Sequence, residues 1–144
     1  PYQKEVIERF YERHHADVQT IDRWFSVQSM SPSISVAGIR ELMSHKLFTM
    51  KNPNRVRSVF GAFAQNHIQF HCQEGYRLMT EVIIELDALN PQIAARFASV
   101  FNHWRRFTSH YSKLQKAELK TISGVDNLSN NVYEIVHIAL EGKT

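Results

Sequence analysis

The sequence predicts an all-α fold, and three observations carry the prediction. Apolar residues recur at i, i+3, i+4 and i+7 along nearly the whole chain. No segment alternates with period two, and five glycines and four prolines leave few turns to close β-hairpins. With 144 residues, 43% of them hydrophobic and 22% charged, the chain suits one domain, 1–144, with its own core and excludes disorder and collagen.

The stripes follow in chain order. Val6, Ile7, Phe10 and His14 make the first, Ile21, Trp24, Phe25 and Gln28 the second, and Ile39, Leu42 and Met43 the third. Val56, Val59, Phe60 and Phe63 make the fourth. Between Tyr76 and Leu89 the apolar set (Tyr76, Leu78, Met79, Val82, Ile83, Ile84, Leu86, Leu89) wraps much of the cylinder, which places that helix centrally. Ile93, Phe97, Val100, Phe101 and Trp104 follow, and Val132, Ile135, Val136 and Ala139 close the chain. Ser31-Pro32, Asn52-Pro53 and Asn90-Pro91 mark helix starts: the first side chain accepts an orphan N–H, and proline at the first helical position has none to leave unpaired. Gly124 and the run Asp126-Asn127-Leu128-Ser129 precede the last helix, with Ser129 as its cap. The sum is eight to nine helices of roughly 10–17 residues stacked as antiparallel pairs, with no fixed-period repeat.

Charge narrows the function classes. Lys+Arg 17 against Asp+Glu 14 gives +3, with the basic excess confined to residues 40–57 and 96–120. Neither segment has the Gly-aromatic or Cys/His signature of a nucleic-acid module, so no nucleic acid is expected. A single cysteine cannot close an intramolecular disulfide, and no apolar run reaches the ~20 residues that span a bilayer. A reducing, cytoplasmic location with no membrane contact is the expectation. The chain enters a helical period at once, without an initiator Met or leader pattern, as a fragment of a larger multidomain chain would.

Catalytic groups are hard to assemble from these residues. No H-E-x-x-H occurs, and His14 and His15 point about 100° apart on a helix. His67 and His71 stand at i, i+4 with Cys72 beside them, the better metal candidate, yet no further ligand accompanies them. Cys72 lacks an orienting group and an oxyanion hole, so it reads as a buried bystander. No metal site and no catalytic residue are expected. Phe60, Phe63, Phe97, Phe101 and Trp104, at helical spacing, read as core rather than as a ligand box.

The segment Asn52-Pro53-Asn54-Arg55-Val56-Arg57 is more informative. Arg55 and Arg57 fall near a helix start, where a cation opposes the macrodipole at about 0.3–1 kcal/mol each, so something must compensate. Arg57 projects opposite the Val56/Phe60/Phe63 stripe, and Gly61 leaves space beside it. The layout recurs after Asn90-Pro91, where Gln92, Arg96, Ser99 and His103 form a polar stripe. Two such helix starts could meet one carboxylate-bearing partner.

The run Phe48-Thr49-Met50-Lys51-Asn52-Pro53-Asn54-Arg55-Val56-Arg57-Ser58-Val59-Phe60-Gly61-Ala62-Phe63-Ala64 resembles a signature of the C-terminal domain of bacterial aminopeptidase N, a zinc-dependent gluzincin family. Asp22-Arg23-Trp24-Phe25 with Ser31-Pro32, Asn90-Pro91-Gln92-Ile93-Ala94-Ala95-Arg96, and Leu128-Ser129 with Val132-Tyr133-Glu134 are similar to further motifs of that domain, in the same order. The resemblance implies an irregular, HEAT-like superhelix of helix pairs that closes over the catalytic domain of its parent. It also implies one zinc ion in that missing domain and no cofactor in this chain. The partners implied are the parent's other domains and peptide substrates. Arg57, Gln92 and Arg96 match positions that look into the substrate cavity, with Asn52, Asn54 and Arg55 in support. Two departures stand out: Phe70–Tyr76 is about two residues shorter than the family's acidic loop, and Thr108, Tyr111 and Ser112 replace an Asp and an Arg-Gln pair. The rival reading is a free-standing helical interaction module that binds an acidic or extended segment; a third is an independent enzyme built on His67, His71 and Cys72.

Overall fold

The computed structural model describes residues 2–14 and 17–142, without the side chains of residues 2, 3, 10, 11, 13 and 14. Phe10 and His14 of the first stripe, and His15, therefore lie outside the described side chains. Among the described residues every regular element is helical. The chain divides into two compact units, residues 1–69 and 70–144.

The first unit opens with α1 (Tyr2–His14) and α2 (Val18–Ser29). Asp17 caps α2, its carboxylate accepting the N–H groups of Gln19 and Thr20 at 3.1 and 3.2 Å. Trp24 turns its apolar body inward and donates its indole N–H to the Ile7 carbonyl at 2.8 Å, which ties α2 to α1. Helix α3 spans Val36–Met43. It does not begin at Ser31-Pro32, as the capping rule predicted: Ser35 is the cap, accepting from the Gly38 N–H at 3.0 Å. Ser31 instead closes a turn with Ser33 and Ile34. A second hydroxyl directly before Val36 lets Ile39 and Leu42 enter the core without Pro32 inside the helix. Asn66 is a hidden strut of this unit: almost inaccessible, it donates to the carbonyls of Ser29 and Ser31 at 3.0 and 2.9 Å.

The fourth stripe forms a continuous helical rod with a changed pitch in its middle. It runs α4 (Pro53–Val56), a π-helical turn (Arg57–Gly61) and α5 (Ala62–Ala64). Val56, Val59, Phe60 and Phe63 are all at 0% exposure, and the rod packs on α2. Phe25, His45, Phe48 and Phe60 form an edge-to-face cluster, with centroids 5.5 to 6.2 Å apart. Full burial of a Phe side chain contributes about 1.5–3 kcal/mol, and Phe25 and Phe60, the two fully buried members, fix the rod on α2.

The second unit is built around α6 (Gln73–Leu89), which packs on α7 (Pro91–Ala98) and α8 (Ser109–Ser123); α9 (Asn130–Glu141) packs on both of those. Two 3-10 turns, Ser99–Phe101 and Trp104–Arg106, link α7 to α8. Of the apolar set expected to place the Tyr76–Leu89 helix centrally, Tyr76, Leu78, Met79, Val82, Ile83 and Leu86 are buried, Ile84 is half-buried and Leu89, at the helix end, is exposed. Polar ties reinforce it. Arg77 on α6 pairs with buried Glu118 on α8 at 3.2 Å, and Asp87 accepts the Ser129 N–H at 2.8 Å and its hydroxyl, bracing the cap of α9. At the other end of α9, Arg105 donates to the carbonyls of Ala139 and Leu140, both at 2.8 Å, and lies 4.1 Å over the Trp104 ring.

Helix lengths depart from the expected range at α3 and α7, eight residues each, and in the divided rod. After α7 the chain must turn within a few residues to bury Phe101 and Trp104, which ends that helix early. No helix among the described residues is long and apolar enough to cross a membrane.

Candidate functional site

The rod places its two arginines in opposite environments. Asn52 caps it, its side-chain oxygen accepting the Arg55 N–H at 3.2 Å. Arg55 turns inward and is buried. Its Nε donates to the Asp22 carboxylate on α2 at 2.5 Å, a second nitrogen donates to the Leu47 carbonyl, and the guanidinium lies 5.4 Å over the Phe25 ring. Here is the compensation that the helix start demanded: a carboxylate, a carbonyl and a ring face neutralise the buried cation. Arg57 turns outward and is exposed, held by a hydrogen bond to Asn54 Oδ1 at 3.1 Å. A Cβ at Gly61 would lie 4.0 Å from the nearest side-chain atom, Arg57 Cβ, so the flank beside that arginine is open.

In the second unit Asn90 caps α7 by accepting the Ile93 N–H at 3.3 Å. Ile93, Ala94, Phe97 and Ala98 turn inward, and Gln92 and Arg96 are left outside the core, both exposed. Neither of those two side chains has a partner among the described residues. Because α7 has only eight residues, Arg96 sits in its last turn rather than at its start. The helix dipole there favours the cation instead of opposing it. The Ser99 hydroxyl donates to the Arg96 carbonyl at 2.5 Å and closes the turn. His103 is exposed beyond the end of α7 and so does not share its face.

The histidine–cysteine set does not come together. The rod ends at Ala64 and α6 starts at Gln73, so His67 and His71 lie on a connection and not on one helical face. His71 Nδ1 stands 2.7 Å from the Tyr76 hydroxyl, which also accepts from the Gln115 amide at 3.1 Å. Gln115 donates to the phenol oxygen, and the phenol proton is available to His71 Nδ1 in the tautomer that leaves that nitrogen unprotonated. Burial pushes the Tyr76 phenol above its ordinary value, so it keeps that proton. Cys72 is half-buried rather than fully buried, and it is no bystander, since its sulfur accepts the Gly75 N–H at 3.3 Å and caps α6. The close approach that this turn requires explains Gly75, where a Cβ would stand 2.1 Å from the Phe70 carbonyl oxygen. Among the described residues no three His, Cys, Asp or Glu side chains form a set that could hold a metal ion.

A groove of about 650 Å³ opens in the first unit, lined by Trp24, Gln28, Ile34, Glu41, Leu42 and His45 among others; Arg57 is not part of it. His45 accepts the Leu47 N–H at Nδ1, 3.0 Å away, and its pKa is held below the ordinary value by burial, then by Lys46 and Arg55. Sequence reasoning missed Asp22, Ser26, Asn66 and Asp87 as polar struts. Their partners lie 32 to 42 residues away, beyond any local pattern.

Comparison with known proteins places the chain. The family model described as "Domain of unknown function (DUF3458_C) ARM repeats" matches residues 1–141. Aminopeptidase N of Escherichia coli is 33% identical over 97% of this chain and 17% of its own length. Aminopeptidase N of Haemophilus influenzae is 37% identical over 92% of this chain and 16% of its own. Among solved structures, that of Legionella pneumophila aminopeptidase A in complex with aspartic acid matches with a TM-score of 0.91 and 29% identity. The match covers 96% of this chain and 17% of that one. The chain thus spans about a sixth of the length of the relatives it matches. Two units of packed helices fit the repeat architecture that the family description names. The chain belongs to the DUF3458_C family of ARM-repeat domains and matches the C-terminal helical domain of aminopeptidase N.

Proposed function

We propose that residues 1–144 serve as the C-terminal helical domain of a zinc metalloaminopeptidase that removes N-terminal residues from peptides in the cytoplasm. The catalytic zinc and the groups around it belong to the remainder of the parent, and no step of the chemistry runs through this chain. Its part is to wall the substrate cavity with Arg57, Gln92 and Arg96, supported by Asn52, Asn54 and Arg55. Two guanidiniums and an amide supply positive charge and hydrogen-bond donors for the carboxylate end or carbonyls of a bound peptide. The observation that carries the reading is that Arg57, Gln92 and Arg96 stay outside the core on helices whose other faces are locked within it. Arg57 commits one donor to Asn54 Oδ1, so a ligand can claim others of its five.

Two experiments test it. The reading frame that encodes this chain should also encode, upstream, H-E-x-x-H followed by a second Glu; a frame without it would overturn the proposal. In the parent, deleting residues 1–144 should impair tetrapeptide cleavage more than cleavage of a one-residue chromogenic substrate. Kinetics unchanged for both would contradict the assignment.

A further inference from the structure

The π-helical turn that begins at Arg57 is met from α2 by a side-chain hydroxyl. In an unbroken α-helix the Ala62 N–H would bond the carbonyl of Ser58; here it bonds the Val59 carbonyl instead. The Ser58 carbonyl, deprived of that donor, accepts the hydroxyl of Ser26 at 3.0 Å. A side chain inserted into the helical ladder is one of the few physical causes of such a change in pitch. The residues around it are firmly fixed. The Ser58 hydroxyl donates back to the Arg55 carbonyl at 2.7 Å, and Ser58 itself is buried. Arg55 is locked to Asp22, one helical turn before Ser26 on α2. Val59 and Phe60, inside the turn, are at 0% exposure. Arg57 is the first residue of the turn and its one cation, so the pitch decides where that exposed guanidinium points.

We infer that Ser26 is a positioning residue for Arg57: its hydroxyl, bonded to the Ser58 carbonyl, sustains the π-helical turn and thereby the direction in which Arg57 meets a ligand. Ser26 is half-buried on α2 and touches no ligand itself. Without the hydroxyl, the Ser58 carbonyl recovers a donor most simply by taking back the Ala62 N–H, which restores α-helical pitch and rotates Arg57 relative to the buried stripe. The inference rests on the proposal that Arg57 faces the peptide cavity.

The test is a set of variants in the full-length parent enzyme: Ser26→Ala, Ser26→Thr, Arg57→Ala, and Ser26→Ala combined with Arg57→Ala. KM and kcat are measured for a tetrapeptide and for a one-residue chromogenic substrate, together with the melting temperature. Ser26→Ala should raise the tetrapeptide KM about twofold to tenfold, with kcat and the chromogenic substrate unchanged. Ser26→Thr, which keeps the hydroxyl, should restore wild-type values. In the Arg57→Ala background Ser26→Ala should add nothing, because the residue it aims is gone. If Arg57→Ala shifts the tetrapeptide KM and Ser26→Ala does not, the positioning role is refuted while the cavity assignment stands. If Arg57→Ala itself has no length-dependent effect, both fail. Equal losses for both substrates with a lowered melting temperature, or effects that add in the double variant, would make Ser26 a structural residue only and overturn the inference.

Discussion

Replacing Asp22 by Asn isolates the buried ion pair that anchors the rod to α2. The Arg55 side chain is 7% exposed and Asp22 20%, with 2.5 Å between Nε and the carboxylate. Breaking a fully buried pair by removing one partner costs about 3–5 kcal/mol, because a charge is left without its counterion. Three features reduce that here. An Asn side-chain oxygen can still accept from Nε, the Leu47 carbonyl still receives a second donor, and a fifth of Asp22 is in water. A loss of about 2–3 kcal/mol is therefore expected, which would show as a lower urea midpoint at unchanged m-value. Circular dichroism in urea reads it, on Asp22→Asn, Arg55→Met and the double variant. The cycle should give a coupling above about 1 kcal/mol, and the double variant should be less destabilised than the two single losses summed. An Asp22→Asn variant within about 0.5 kcal/mol of wild type, or additive losses, would refute the claim that this pair holds the rod.

Two further outcomes follow from the geometry. Gly75→Ala lies within α6, where the substitution ordinarily stabilises by ~0.4–1 kcal/mol, but the new methyl would meet the Phe70 carbonyl at 2.1 Å; a destabilisation of about 2–4 kcal/mol is expected by thermal or urea melts, and a gain would contradict the contact. For His45, whose folded pKa lies below the ordinary 6.5, the neutral ring is the native form: its contribution is complete above that value and is lost as pH falls through the folded pKa. Urea midpoints between pH 7.5 and 5 should fall, and His45→Gln should flatten that fall; an identical pH profile in the variant would exclude His45 as its source.

Much of this was legible in the sequence, for a physical reason. Burial at helical spacing leaves its mark on single residues, so the stripes from Ile21 to Val136 could be read directly, as could the caps at Asn52, Asn90 and Ser129. Capping is local, three residues from acceptor to donor, but it fails where two hydroxyls compete, as Ser31 and Ser35 do before α3. What the sequence hid is long-range. That Arg55 turns inward depends on Asp22, on a different helix, whereas the outward course of Arg57, opposite the Val56/Phe60/Phe63 stripe, was legible. The π-helical turn has no local signature, since the hydroxyl that meets it comes from α2. His67 and His71 show the converse error: a helical spacing has meaning only where there is a helix.

The most direct test of the account compares KM across peptide length in the full-length parent carrying Arg57→Ala, Arg96→Ala or Gln92→Ala. Losing one charged hydrogen bond costs about 1.5–3 kcal/mol in a dry site and much less in a wet one, so each arginine variant should raise KM for tri- and tetrapeptides by roughly threefold to a hundredfold. A one-residue chromogenic substrate should change less, lysine should rescue only in part because it lacks the planar fork, and Gln92→Ala should be milder. Melting temperatures should stay near wild type, since none of the three side chains belongs to the core. A uniform loss across all substrates, accompanied by a lowered melting temperature, would contradict the account and assign these residues to holding the parent together instead.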